Sequence, residues 1–128
     1  MPCQDADSSP PVREELQKLE SLNTMVVALD TEGRIIFVNR KLRDFLGFEC
    51  EELVGKNWFA TCLPQKQRKT VELVFRGVMA GDMDLVEFYE NPVLTKDGQE
   101  KLIAWNNNLL RDSPGVIVGT ISSGKEIV

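Results

Sequence analysis

The apolar run Thr24-Met25-Val26-Val27-Ala28-Leu29 stops at Asp30-Thr31-Glu32-Gly33 and is answered by Arg34-Ile35-Ile36-Phe37-Val38. A run of six residues is too short for an ordinary helix and long enough for a buried strand. The polar turn places glycine where a positive φ is needed, so the second run returns antiparallel to the first. Three more strands are expected at the carboxyl end, over Leu85 to Leu94, Lys101 to Leu110 and Val116 to Ile121. They are joined at Lys96-Asp97-Gly98 and Ser113-Pro114-Gly115, and connections this short allow only antiparallel neighbours. Pro92 cannot donate to a ladder, so its strand belongs at an edge or carries a bulge.

The chain between the two groups of strands reads as helices. Asn39 is placed to cap a short one, Leu42, Phe45 and Leu46 form its apolar stripe, and Gly47 sits at a left-handed C-cap. Glu51-Glu52-Leu53-Val54-Gly55 and Asn57-Trp58-Phe59 give two further turns. Pro64 then occupies a favoured first position of a longer helix, in which Val71, Val74, Phe75 and Val78 keep helical spacing and Gly81 marks the end. Its Lys66, Arg68, Lys69 and Glu72 face water. Two strands, several helices and three strands make an α+β pattern, with helices packed on one side of a five-stranded antiparallel sheet.

Ahead of the first strand, Val12, Leu16 and Leu19 recur at helical spacing, with Glu14, Glu15, Lys18 and Glu20 on the other faces. The stripe spans under two heptads, too little for a coiled coil alone. Packing against its own domain and pairing with a second copy are both open on this pattern. Residues 1 to 11 are polar and proline-containing, as in a disordered tail or an artificial start.

With 128 residues and 42% of them apolar, the chain suits one domain with one core. No stretch matches a membrane-spanning helix and the amino terminus lacks a signal-peptide pattern, so a cytoplasmic protein without membrane contact is expected. The net charge of −5 argues against a nucleic-acid surface. Cys3, Cys50 and Cys62 form no paired framework and are expected to be reduced thiols; neither Cys50 nor Cys62 has a second ligand at metal-site spacing. The sequence contains no histidine, which removes the usual general base, haem ligand and zinc ligand together. Ser122 and Ser123 have no base to activate them, and Glu51, Glu52, Asp82, Asp84, Glu87 and Glu90 suggest no acid and base pair. No glycine-rich phosphate loop is present, and no catalytic or metal-binding residue is assigned.

From about Leu22 to Ile127 the chain resembles a PAS (sensory box) domain of a bacterial signal-transduction protein. The matching stretches are Asn39 to Phe48, Glu51 to Phe59, Cys62-Leu63-Pro64, Lys96-Asp97-Gly98, Trp105-Asn106-Asn107 and Gly119 to Ile127. The resemblance implies strand order 2-1-5-4-3, helices on one face, a ligand pocket between them, and an N-terminal helix in addition. It divides the chain into a tail (1–11), a signalling and dimerisation helix (12–22) acting through Val12, Leu16 and Leu19, and a non-catalytic sensor domain (23–128). It further implies a homodimer and a C-terminal output domain, such as a histidine kinase or a diguanylate cyclase of a two-component type of system. The closing Val128 departs from the family's usual exit.

Photosensors of this family carry a reactive cysteine in an Asn-Cys-Arg-Phe-Leu stretch, whereas Gly55-Lys56-Asn57-Trp58-Phe59 here puts Trp58 in that place. Adduct photochemistry is therefore not expected. No cofactor is assigned: a flavin or small metabolite, with Trp105 and Asn107 lining its site and Asn91 a further amide for a flavin edge, is the alternative, haem is disfavoured by the missing histidine, and a small enzyme on a similar sheet is a remote third reading. Candidate pocket residues are Phe45, Phe59, Cys62, Phe75, Tyr89, Trp105 and Asn107. Cys62 stands where relatives often carry an aromatic, leaving either pocket volume or ordinary thiol packing. Strand alternation puts Ile103, Trp105, Asn107 and Leu109 on one face, and alignment on Arg111-Asp112 turns that face toward the helices. Asn107 on such a wall needs a partner, from a ligand, a backbone group or water, or costs on the order of 1 to 3 kcal/mol.

Overall fold

The computed structural model describes Gln4, residues 9–112 and residues 115–127. The elements are α1 (Pro10–Gln17), β1 (Met25–Asp30), β2 (Ile35–Val38), α2 (Arg40–Leu46), α3 (Cys50–Leu53), α4 (Trp58–Cys62), α5 (Gln65–Met79), β3 (Phe88–Leu94), β4 (Glu100–Arg111) and β5 (Ile117–Glu126). The strands form one antiparallel sheet in the order β2-β1-β5-β4-β3. Pro92 lies in β3, the edge strand, where its missing N–H leaves no ladder gap. Gly119 has φ +153°, and a Cβ there would collide with the Leu29 carbonyl oxygen, so glycine is what lets β5 run against β1.

The inner face of the sheet carries Val27, Leu29, Ile35, Val38, Val93, Ile103 and Trp105, which pack against Leu42, Leu46, Leu53, Trp58 and Phe59 of the helices. The local helix signals are realised. Asn39 accepts a hydrogen bond from Leu42 N at 3.2 Å, Gly47 closes α2 at φ +84°, and Asn57 caps α4 through Ala60 N at 2.9 Å.

Helices α2 to α5 cover one face, as expected, while α1 takes the other. Val12 and Leu16 are buried against Val26, Ala28, Ile36, Phe37 and Leu110. The physical reason is that β1 and β2 are apolar on both faces, so the outer side also needs a cover. The stripe proposed for dimerisation is thus engaged within the chain at Val12 and Leu16, with Leu19 partly buried beside them. Glu20 then pairs with Arg43 of α2 at 2.9 Å, and Asn39 Nδ2 donates to Leu19 O, fastening the end of the segment to the domain.

Several boundaries differ from expectation. α1 begins at Pro10 and ends at Gln17, short of the expected 12–22, because Lys18 to Ser21 form turns. Gln4, within the expected tail, bridges to Phe37 and donates to Arg13 O at 3.2 Å and to Gln17 Oε1 at 2.9 Å. The rest of that tail (1–3 and 5–8), Ser113-Pro114 of the last turn, and Val128 lie outside the described residues. β3 starts at Phe88 instead of Leu85. β5 continues to Glu126 instead of ending at Ile121, since Ser122, Ser123 and Gly124 are paired on both sides, by β1 and by β4. Cys50 is disulfide-bonded, which corrects the expectation of reduced thiols; Cys62 is free and buried.

Candidate functional site

No residue of α5 is fully buried, although its Val71, Val74, Phe75 and Val78 form the apolar stripe of an amphipathic helix. That stripe faces a cavity of about 380 Å³ between the helix and the sheet. Its floor is built by the inward positions of four strands: Val27 and Leu29 of β1, Thr120 and Ser122 of β5, Trp105 and Asn107 of β4, and Tyr89 and Asn91 of β3. Trp58 and Phe59 of α4 close one end, and Leu85 and Val86 from the α5–β3 connection close another. Trp58 meets Trp105 edge-on at 6.0 Å between centroids, and Phe59 meets Phe75 at 5.3 Å, so aromatic pairs fix two corners. The lining holds no charged side chain.

Of the seven pocket residues expected from the sequence, the structure brings Phe59, Phe75, Tyr89, Trp105 and Asn107 together around this cavity. Phe45 and Cys62 are not part of the wall. Phe45 sits on α2 and packs partly buried against the core. Cys62 is fully buried at the end of α4, and burial pushes its thiol up to about 12, which is ordinary core packing rather than spare volume. The sequence reading missed the aliphatic part of the site. Val71, Val74 and Val78 were visible as a helix stripe, but whether such a stripe closes on a sheet or stands off it depends on tertiary geometry.

Asn107 finds its partners within the protein. Its Nδ2 donates to Val86 O at 3.0 Å, its backbone N donates to Glu87 O at 2.6 Å, and its Oδ1 accepts from Ser122 Oγ at 2.6 Å. One asparagine therefore fastens the loop over the cavity and ties it to β5. Asn91 is different: it is only 6% exposed, it lines the cavity, and its side chain makes no hydrogen bond among the described residues.

Trp58 is a wall of the cavity, and neither Cys50 nor Cys62 lines it. Among the described residues no group of three or more His, Cys, Asp or Glu is arranged to hold a metal ion. Nor is any described helix long and apolar enough to cross a membrane.

The fold has many counterparts among solved structures. The PAS domain of the RpfR quorum-sensing receptor of Cronobacter turicensis, solved in complex with C12:0, superimposes with a TM-score of 0.69 at 21% identity, covering 84% of this chain and 97% of that one. A PAS domain from Colwellia psychrerythraea gives 0.69 at 18% identity, covering 91% and 96%. A light-oxygen-voltage domain studied through a flavin analogue gives 0.68 at 19% identity, covering 90% and 85%. No curated protein matches the sequence. The model of the PAS fold family matches residues 17–126, nearly the whole of the described sheet and its helices, and the chain belongs to that family.

Proposed function

We propose that this domain is a non-catalytic sensor module of a signal-transduction protein, whose cavity takes up a small, largely apolar molecule and whose occupancy is passed to an output domain such as a histidine kinase or a diguanylate cyclase. The observation that carries this reading is α5, an amphipathic helix with its apolar stripe over an uncharged hollow of about 380 Å³. That volume falls in the range of small-molecule sites, roughly 300 to 1,000 Å³. Apolar wall left facing solvent forgoes about 25 cal/mol for each Å². A ligand that fills the hollow recovers this and favours the packing of α5 that encloses it, which is the differential affinity a switch requires. The RpfR domain in complex with C12:0 supports the ligand class in general terms.

The test uses N-phenyl-1-naphthylamine, an uncharged fluorophore that brightens in apolar surroundings. The wild-type chain should bind it, and Val74→Trp, which fills the hollow from a partly buried helix position, should weaken binding at least tenfold with the circular dichroism unchanged. Equal binding by the variant would move the site elsewhere.

A bound flavin is the second reading, because Asn91 and Asn107 both reach the cavity. Asn107 is already engaged at both ends of its amide, which leaves Asn91 as the unengaged amide for a ring edge, beside the hydroxyls of Thr70, Tyr89 and Thr120. Visible absorbance of freshly purified protein decides this. A homodimer accompanies the sensor reading; with Val12 and Leu16 spent on the sheet, pairing would use other surfaces of α1 or of the sheet. Sedimentation with and without residues 1–22 measures the contribution of that segment.

A further inference from the structure

We infer that the ligand of this cavity is uncharged and carries a hydrogen-bond donor beside an acceptor on an otherwise apolar body, and that Asn91 is the residue that reads this pair. The inference rests on the sensor-cavity reading above. Asn91 pairs through its backbone with Ile103, a core residue, so its side chain projects to the inner face of the sheet. There it is nine-tenths buried and lines the hollow, with no side-chain hydrogen bond among the described residues.

The contrast with the chain's other buried or lining asparagines gives this weight. Asn39 is fully buried and makes four side-chain hydrogen bonds; Asn107 uses both its amide nitrogen and its amide oxygen. Buried polar groups in folded proteins are paired in the great majority of cases, and an unpaired one is costly. A carboxamide that opens from a largely apolar wall into the hollow, without a hydrogen-bond partner among the described residues, is free to take one from a ligand. Its geometry offers two N–H donors and one carbonyl acceptor, so its full complement is a molecule presenting an acceptor and a donor side by side, such as a primary amide, a lactam or an imide.

The lining also rules on charge. It includes no Lys, Arg, Asp or Glu, so an ionised carboxylate or ammonium would enter without a counter-charge and lose its hydration. Of two ligands with the same alkyl body, the amide is favoured over the anion.

The experiment displaces bound N-phenyl-1-naphthylamine from the whole chain with decanamide, decanoate and decylamine at pH 8, where the acid and the amine are both ionised. Decanamide should displace the fluorophore at a concentration about tenfold lower than either charged analogue. Asn91→Leu should abolish that advantage while still binding the fluorophore, since only the polar match is removed. Decanoate matching or exceeding decanamide on the wild type overturns the inference without any variant, as does an Asn91→Leu protein that keeps the amide preference, which would leave Asn91 paired with water alone. Failure of the wild type to bind the fluorophore is a distinct result: it discards the cavity reading itself, and this inference with it.

Discussion

Replacing Asn39 by alanine should cost about 3 to 4 kcal/mol of folding stability. The side chain is fully buried at the junction of α1's exit, β1 and α2. Its Oδ1 accepts from Val26 N at 3.0 Å and from Leu42 N at 3.2 Å, and its Nδ2 donates to Leu19 O at 3.0 Å and Thr24 O at 2.7 Å. Loss of the helix cap alone costs about 1 kcal/mol. Of the other three backbone groups, Leu19 O keeps its bond from Leu22 N, while Val26 N and Thr24 O are left without a partner where water has little room, at about 1 to 1.5 kcal/mol each toward the low end of the usual range. Asn57→Ala is the matched control, because Asn57 caps α4 through a single, exposed hydrogen bond to Ala60 N and should cost only about 1 kcal/mol. Urea denaturation followed by tryptophan fluorescence gives both numbers, and the difference should be 2 to 3 kcal/mol, or about 10 °C in melting temperature. If the two variants fall within about 0.5 kcal/mol of each other, Asn39 is only a helix cap, and the junction that holds α1's exit to the rest of the domain does not depend on it.

Two further outcomes follow from titratable groups. Burial holds the Cys62 thiol at about 12, so iodoacetamide at pH 8 should leave Cys62 intact in the folded protein and modify it in urea, read by mass spectrometry; rapid modification of the native chain would refute the burial. The Glu52 carboxyl is held below the ordinary carboxylate value, first by the hydrogen bond from Lys96 Nζ and then by that with Glu49 N. A depressed folded pKa stabilises the fold above the ordinary carboxylate value and loses that contribution as pH falls through the lowered one. An NMR titration should show the Glu52 midpoint rising in Lys96→Met; an unmoved midpoint would remove Lys96 as the cause.

The local signals were legible because they are short-range. Gly33 and Gly47 sit at positive φ in a turn and a C-cap, Asn39 and Asn57 cap helices, and Pro92 lies on an edge strand. Each is a property of a few consecutive residues. The last strand was read too short because Ser122-Ser123-Gly124 carries no apolar alternation; its two flanking partners make it a strand, and those partners are far away in sequence. Five of seven expected pocket residues line the cavity; strand alternation put Trp105 and Asn107 on one face of their strand, whereas Phe45 and Cys62 lie on helical faces that periodicity could not tell from the pocket side.

The amino-acid sequence by itself determined the five strands, the intervening helices and the absence of histidine chemistry, since turn residues, caps and apolar periodicity act within one element. Only the tertiary structure decided that α1 covers the second face, that α5 stands off the sheet, and that Asn107 is tied to Val86 and Ser122 while the Asn91 side chain has no hydrogen bond among the described residues. Those outcomes depend on which surfaces meet across the fold, and the spacing between two packed layers is set by the fit of all their side chains together.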